Sequence, residues 1–258
     1  MAFEEALREG ADGIELDVRA TGDGLLVVFH DPALPGELAG SVSNASGASN
    51  ASGAGPALSQ LSASQLAQVR LPRGQKIPTL AEVLAWQRDT GAWLNVELKG
   101  DVPSQSHVAR AACALLNAHG GERVLISSFY PRMLFECALR APDIPRAWLV
   151  HAEQRLLKSA PGWSWTTAAG VHPQLEGLSV TQIQRLLAEG AIVNVWTVND
   201  AAEAVRLGGL GVDGLISDVP GLLRAGLETG AAPSVTPSRA PAQSTQTDSR
   251  METPAGGV

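Results

Sequence analysis

The sequence predicts an α/β fold built on a parallel sheet: a TIM-type (β/α)8 barrel one stave short. Three observations carry that expectation. Short apolar runs alternate with helical patterns of about a dozen residues almost from end to end, the signature of βαβ units. Polar residues interrupt several of those runs at their C-terminal ends, the rim where barrel active sites gather. The length of 258 residues accommodates one such domain with some chain to spare.

The elements follow in order. Ala2 to Glu9 reads as an amphipathic helix, then the turn Gly10-Ala11-Asp12-Gly13 leads into a strand, GIELDV. Beyond Gly22-Asp23-Gly24, the run LLVVF is an extension hairpin beside that strand. Residues 39–60 are low in complexity, with the hexad SNASGA repeated, and are expected to form a flexible surface loop. LSASQLAQVRL and TLAEVLAWQRDTG look helical, the second capped by Thr79 and stopped by Gly91. The strands AWLNVELK, RVLISSF, IPRAWLV, an ill-defined one near 168–172, AIVNVWTV and GLIS come next. Helices near 104–119, 131–140 and 180–189, then from Asp200 and from Pro220, separate or follow them. The parallel-type strands number seven, where eight close a barrel. The catalytic domain is therefore expected over residues 1–228, and the Pro-, Ser- and Thr-rich stretch 229–258 is expected to be a disordered tail.

Bulk properties exclude some classes of function. With 45% hydrophobic and 17% charged residues the composition is that of a soluble globular protein. A net charge of −7 without any Lys/Arg run argues against nucleic acid as a partner. An anionic substrate would need a locally positive site, because the field of the whole molecule repels it. No stretch is apolar enough to span a membrane, and the N-terminus lacks the layout of a signal peptide. Cys113 and Cys137 show no metal spacing and suit a reducing compartment, so a cytoplasmic location is expected. The oligomeric state is left open.

The chemistry-bearing residues sit at strand ends. Glu15 and Asp17 are two apart and share a face, as do Glu97 and Lys99 in NVELKG. Carboxylates converging at one rim raise one another's pKa unless a cation sits between them. An oxygen-only donor set favours Mg²⁺ or Ca²⁺ over zinc. Lys99 is a candidate phosphate contact, since its ammonium can balance a bound anion. A single acidic pair on a strand is most simply a solvated edge; two polar pairs, each closing a hydrophobic run, argue for a site. His30, after LLVVF, taken singly is a turn residue, but beside a metal and an anion it becomes a general acid or base. Trp196 in VNVWTVND is either a core ring or an apolar wall for a small ligand. Asp218 reads as the N-cap of the last helix, and Ser127 and Ser128 suit strand packing or ligand hydrogen bonds. His107, His119, His151 and His172 fall on helices or loops without identified partners, His172-Pro173 being a strand-end candidate of low weight.

Together these segments resemble the glycerophosphodiester phosphodiesterase family. Its pattern GAD-x-IE-x-DV-x-x-T-x-DG-x-x-VV-x-HD is matched from Gly10 through Asp31, and IPTLAEVL, NVELKG, the SF after RVLIS, VNVWTVND and GVDGLISDVP match further blocks. The resemblance covers about residues 2 to 227 and rests on the combination of blocks. It implies metal-dependent hydrolysis of glycerophosphodiesters to an alcohol and glycerol 3-phosphate. It further implies a Ca²⁺ or Mg²⁺ ion held by Glu15, Asp17 and Glu97, a phosphate contact from Lys99, and His30 as one of two histidines that act as acid and base. The family pattern begins with a strand ending His-Arg-Gly, which this sequence does not contain; the authentic start is expected upstream, with activity impaired in the chain as given. The Arg-Thr that usually follows HD-x-x-L is replaced, since Leu34 precedes Pro35-Gly36. Two other readings stand beside this one: a catalytically silent remnant that still binds metal or phosphate, and a metal-dependent barrel lyase.

Overall fold

Burial alternates along Gly13–Ala20 (β1): Ile14, Leu16 and Val18 are buried in the main core, while Glu15 and Asp17 point to the other face. That alternation recurs around a curled sheet, in a computed structural model that describes residues 2–39, 54–151 and 168–230. The stretches 40–53, 152–167 and 231–258 lie outside the described residues, and with them most of the expected loop and the expected tail.

Helix α1 (Ala2–Arg8) precedes β1, and β2 (Leu26–Val28) folds back antiparallel on its end, pairing Val18 with Val28. An excursion follows: β3 (Ala33–Pro35), α2 (Gly36–Ala39), β4 (Ala54–Ala57) and the one-turn α3 (Ala63–Leu66). From there helices and strands alternate: α4 (Leu80–Thr90), β5 (Trp93–Leu98), α5 (Gln105–His119), β6 (Val124–Ser128), α6 (Pro131–Arg140) and β7 (Arg146–Val150). The chain then runs through β8 (Gly170–Pro173), α7 (Val180–Ala188), β9 (Ile192–Val195), α8 (Ala201–Leu210), β10 (Gly214–Leu215) and α9 (Pro220–Thr229).

The sheet order is β10-β9-β8-β7-β6-β5-β1-β2. Every neighbour pair from β10 to β1 is parallel, which makes seven staves, with β2 the antiparallel extension that LLVVF predicted. The helices wrap the outer face, and one contiguous core of Leu, Val, Ile and Ala side chains lies between them and the sheet. The curl brings the two ends of the fold together: Arg224 on α9 donates to the Gly10 carbonyl (3.0 and 2.8 Å) and to Asp12 (2.7 Å) just before β1. Phe3 of α1 packs on Trp86 of α4 at 5.5 Å, so α1 spans between the last helix and the one preceding β5.

Two expectations need correction. Residues 54–60, expected as flexible loop, form β4, paired antiparallel with β3, and a 3-10 turn at Leu58–Gln60. The reason is burial: Leu58 joins Val27, Leu34, Leu61, Leu66, Val69 and Ile77 in a second small core, which anchors the chain against its Ser/Gly-rich composition. The helix expected over LSASQLAQVRL shrinks to a single turn, because Leu66 and Val69 already reach that core from the turn and Pro72 holds Leu71 extended.

Local signals elsewhere agree with the structure. Thr79 accepts from the Glu82 amide while Glu82 reaches back to the Thr79 amide at 2.7 Å, and Gly91 closes α4 at φ +67°. Replacing Thr79 with Ala should lower the unfolding free energy by about 1 kcal/mol in urea denaturation; no change would show that the box contributes nothing here.

Candidate active site

Strand register assembles the acidic group. Asp17 on β1 lies opposite Glu97 on β5, and Glu97 lies opposite Ser127 on β6. Glu15, one pleat below Asp17, completes the set: one oxygen from each of Glu15, Asp17 and Glu97 falls within 4.8 Å of the others. The Lys99 ammonium enters this group, 2.7 Å from Asp17 Oδ1 and 2.6 Å from Glu97 Oε1. One positive charge therefore faces three carboxyl groups. Burial, together with repulsion from Asp17 and Glu97, pushes the Glu15 carboxyl up to about 8 despite Lys99. Glu97 is also raised, by burial, although Lys99 and His30 favour its charged form. Burial alone would lower Lys99, but Glu97 and Asp17 outweigh it and hold the ammonium above its ordinary value.

The loops over this group are pinned. The Lys99 amide donates to the Val18 carbonyl at 3.2 Å, and Gln105 donates to the Gly100 carbonyl at 2.9 Å. A Cβ at Gly100 would land in the Tyr130 ring, so only glycine lets the loop pass under that tyrosine. His30 follows β2 on the loop above β1; its side chain is exposed, with Nδ1 2.8 Å from Asp31 Oδ1. Arg19, two residues beyond Asp17 on the same face, is buried and binds Asp101 through both terminal nitrogens and the His30 carbonyl through Nε.

Trp196 stands at the end of β9 rather than with the carboxylates. It is half-buried, its Nε1 donates to the His172 carbonyl at 2.7 Å, and its ring meets Phe129 and His151 edge-on at 5.6 Å each. Phe129 and His151 stack at 4.8 Å. An aromatic wall thus lines the ends of β6, β7 and β9. Asp218 does not cap α9: the N-cap position is Val219, without a side-chain bond, and Asp218 instead accepts from Asn199 at 2.7 Å. Asn199 Oδ1 in turn accepts from Ser217 Oγ and the Asp218 amide, because these two strand ends lie side by side.

The residues present fit a divalent cation. Three hard oxygen donors converge, and the group is short of positive charge, since Glu15 is held up in the range where it keeps its proton. The whole-chain comparison bears on what such a rim does. The model of the glycerophosphoryl diester phosphodiesterase family matches residues 1–222.

The chain belongs to that family.

A glycerophosphodiester phosphodiesterase of Bacillus altitudinis is 32% identical over 85% of this chain and 88% of its own length. Bacillus subtilis has an uncharacterized protein with the same identity and coverage. Among solved structures, a phosphodiesterase of Oleispira antarctica in complex with the product sn-glycerol-3-phosphate superposes with a TM-score of 0.70 at 25% identity, covering 88% of this chain and 89% of that one. One from Silicibacter pomeroyi reaches 0.73 at 23% identity, over 89% and 88%, and shares the TIM-barrel fold. Family membership makes the chain a phosphoric diester hydrolase by descent.

Sequence reasoning gave His172 low weight, identified no partner for His151 and did not single out Arg19, three residues that the structure places at the barrel centre or rim. His172 is in β8, fully buried; Asn194 Nδ2 lies 3.0 Å from its Nε2 and Asn95 Nδ2 3.5 Å from its Nδ1. A neutral imidazole accepts at one nitrogen and donates at the other, so an Asn95 amide turned over would offer the Nδ1 proton an oxygen, Oδ1, that has no partner among the described residues. His151 and Arg19 are the other two. Alternation along GVHP, counted from Pro173, would have shown His172 facing inward; nothing in the sequence tied Arg19 to Asp101.

Burial holds His172 down to about 3 in the folded chain. Unfolding returns it to the ordinary value near 6.5, so the unfolded state takes up a proton as pH falls below that value and the folded state does not until about 3. Stability should therefore fall with pH across this window by up to about 1.4 kcal/mol per unit from this residue. His172→Asn should remove one proton from that slope between pH 6 and 4 in urea titrations; an unchanged slope would refute the buried neutral imidazole.

Proposed function

We propose that this chain hydrolyses glycerophosphodiesters to an alcohol and glycerol 3-phosphate, using a divalent cation, Mg²⁺ or Ca²⁺, held by Glu15, Asp17 and Glu97. The carrying observation is the convergence of these three carboxylates within 4.8 Å at the C-terminal ends of adjacent parallel strands. A bound cation supplies charge stabilisation to the phosphoryl oxygens and the entering oxygen.

The protein's own groups do the rest. Lys99, anchored by two carboxylates, meets a phosphate with a fixed positive charge in a chain whose overall charge is negative. His30, exposed with Nδ1 engaged by Asp31, offers Nε2 to give or take the proton of an alcohol oxygen. Trp196, with Phe129 and His151, forms an apolar wall for the organic part of the diester. The Bacillus altitudinis relative named for this activity and the Oleispira antarctica complex with sn-glycerol-3-phosphate support the reading. The partner is thus a small molecule. Among the described residues no helix is long and apolar enough to cross a membrane. Both cysteines are free and buried, which suits a cytoplasmic setting.

Calorimetric titration with Ca²⁺ and Mg²⁺ should show one site, lost in Glu97→Gln and in Asp17→Asn. Turnover of glycerophosphocholine should stop in EDTA and return when the cation is restored. His30→Asn should lower kcat by about 10²–10⁴-fold with cation binding intact. Cation binding unaffected by both carboxylate changes would refute the site.

A further inference from the structure

We propose that Arg19, anchored by Asp101, is a positioning residue that sets the height of His30 over the acidic group; this rests on the reading of His30 as acid–base given above. Arg19 leaves β1 on the face that carries Glu15 and Asp17, yet its guanidinium does not join the carboxylates there. It is 5% exposed and turns upward, with Nη1 2.9 Å from Asp101 Oδ1, Nη2 3.0 Å from Asp101 Oδ2, and Nε 2.8 Å from the His30 carbonyl. Each of the three guanidinium nitrogens thus donates to one of two loops.

Those loops carry the rim's chemistry. One runs from β2 through His30; the other runs from Lys99 through Gly100 to Asp101. Each is fastened to β1 by a backbone bond, Phe29 N to Asp17 O at 2.9 Å and Lys99 N to Val18 O at 3.2 Å. Beyond these points Arg19 bridges the two loops. The His30 ring itself is 71% exposed and carries one side-chain bond among the described residues, to its neighbour Asp31, so its position depends on its backbone. The fork is suited to this task. A guanidinium holds its N–H donors in one rigid plane, so Nη1 and Nη2 can take a carboxylate while Nε takes a carbonyl, and a lysine cannot satisfy both loops in that fixed geometry. Displacing an acid–base group by about 1 Å costs on the order of 10²-fold in rate.

The test is a cycle of Arg19→Gln, Arg19→Lys, Asp101→Asn and His30→Asn in the full chain. Glycerophosphocholine kinetics, Ca²⁺ binding and the ¹⁵N spectrum of labelled histidine rings are read on each. Arg19→Gln should lower kcat about 10²-fold with KM and Ca²⁺ affinity changed less than about threefold. Arg19→Lys should not rescue it, and Asp101→Asn should follow the same pattern more weakly. In the His30→Asn background the further change from Arg19→Gln should shrink below about threefold, because the residue acts through His30. The His30 ring, held in one tautomer by Asp31 in the parent, should average its tautomers in Arg19→Gln, a readout independent of turnover. Additive losses in the double variant, or a His30 spectrum unmoved by Arg19→Gln, overturn the proposal. Full activity in His30→Asn instead overturns the reading of His30, which separates the two failures.

Discussion

Three carboxyl groups forced together on neighbouring strands are the constraint on which the rest of the structure turns. Such a group is unfavourable by itself, because burial and mutual repulsion both oppose ionisation. Lys99 compensates part of it, while burial and repulsion from Asp17 and Glu97 still hold the Glu15 carboxyl above its ordinary value. A fold that only needed stability would place aliphatic side chains there, as it does on the opposite face at Leu16, Val96 and Leu98. Parallel register sets up the arrangement: Asp17 lies opposite Glu97, and Glu15 shares the face of Asp17 two residues before it.

The polar character does not stop at the rim. Beneath it lie Asn95, Ser127, His172 and Asn194, a set of inward-facing polar side chains in what most barrels fill with branched apolar groups. Outside the sheet the picture inverts, with an apolar layer under the helices that carries the stability. The two layers divide the work. The strands and an apolar outer core hold a polar, charged interior in a geometry it would not choose.

Much of this was legible from sequence because strand periodicity and local caps report on short-range physics. GIELDV and NVELKG each announced, by a two-residue spacing, which side chains would share a face, and the structure brings Glu15, Asp17, Glu97 and Lys99 together. Thr79, Ser104 and Asp200 cap the helices that their positions suggested. What was not legible depends on distant partners. Residues 54–60 read as loop because low complexity says nothing about Leu58 meeting Leu34 and Ile77. Asp218 looked like a cap until Asn199, from another strand, claimed it. Arg19 was invisible for the same reason, its partner Asp101 lying 82 residues on.

The clasp of Arg224 on Gly10 and Asp12 has a consequence for how the chain reaches this state. It joins residues 214 and 212 positions apart, the largest separations among its side-chain bonds in the described residues. Loop closure of that span has the highest entropic cost of any contact described, and it is recovered only after the intervening βα units have stacked. Closure of α9 against the turn before β1 is therefore expected late in folding. A seam that joins distant parts of the chain so is expected to open early when the protein begins to unfold.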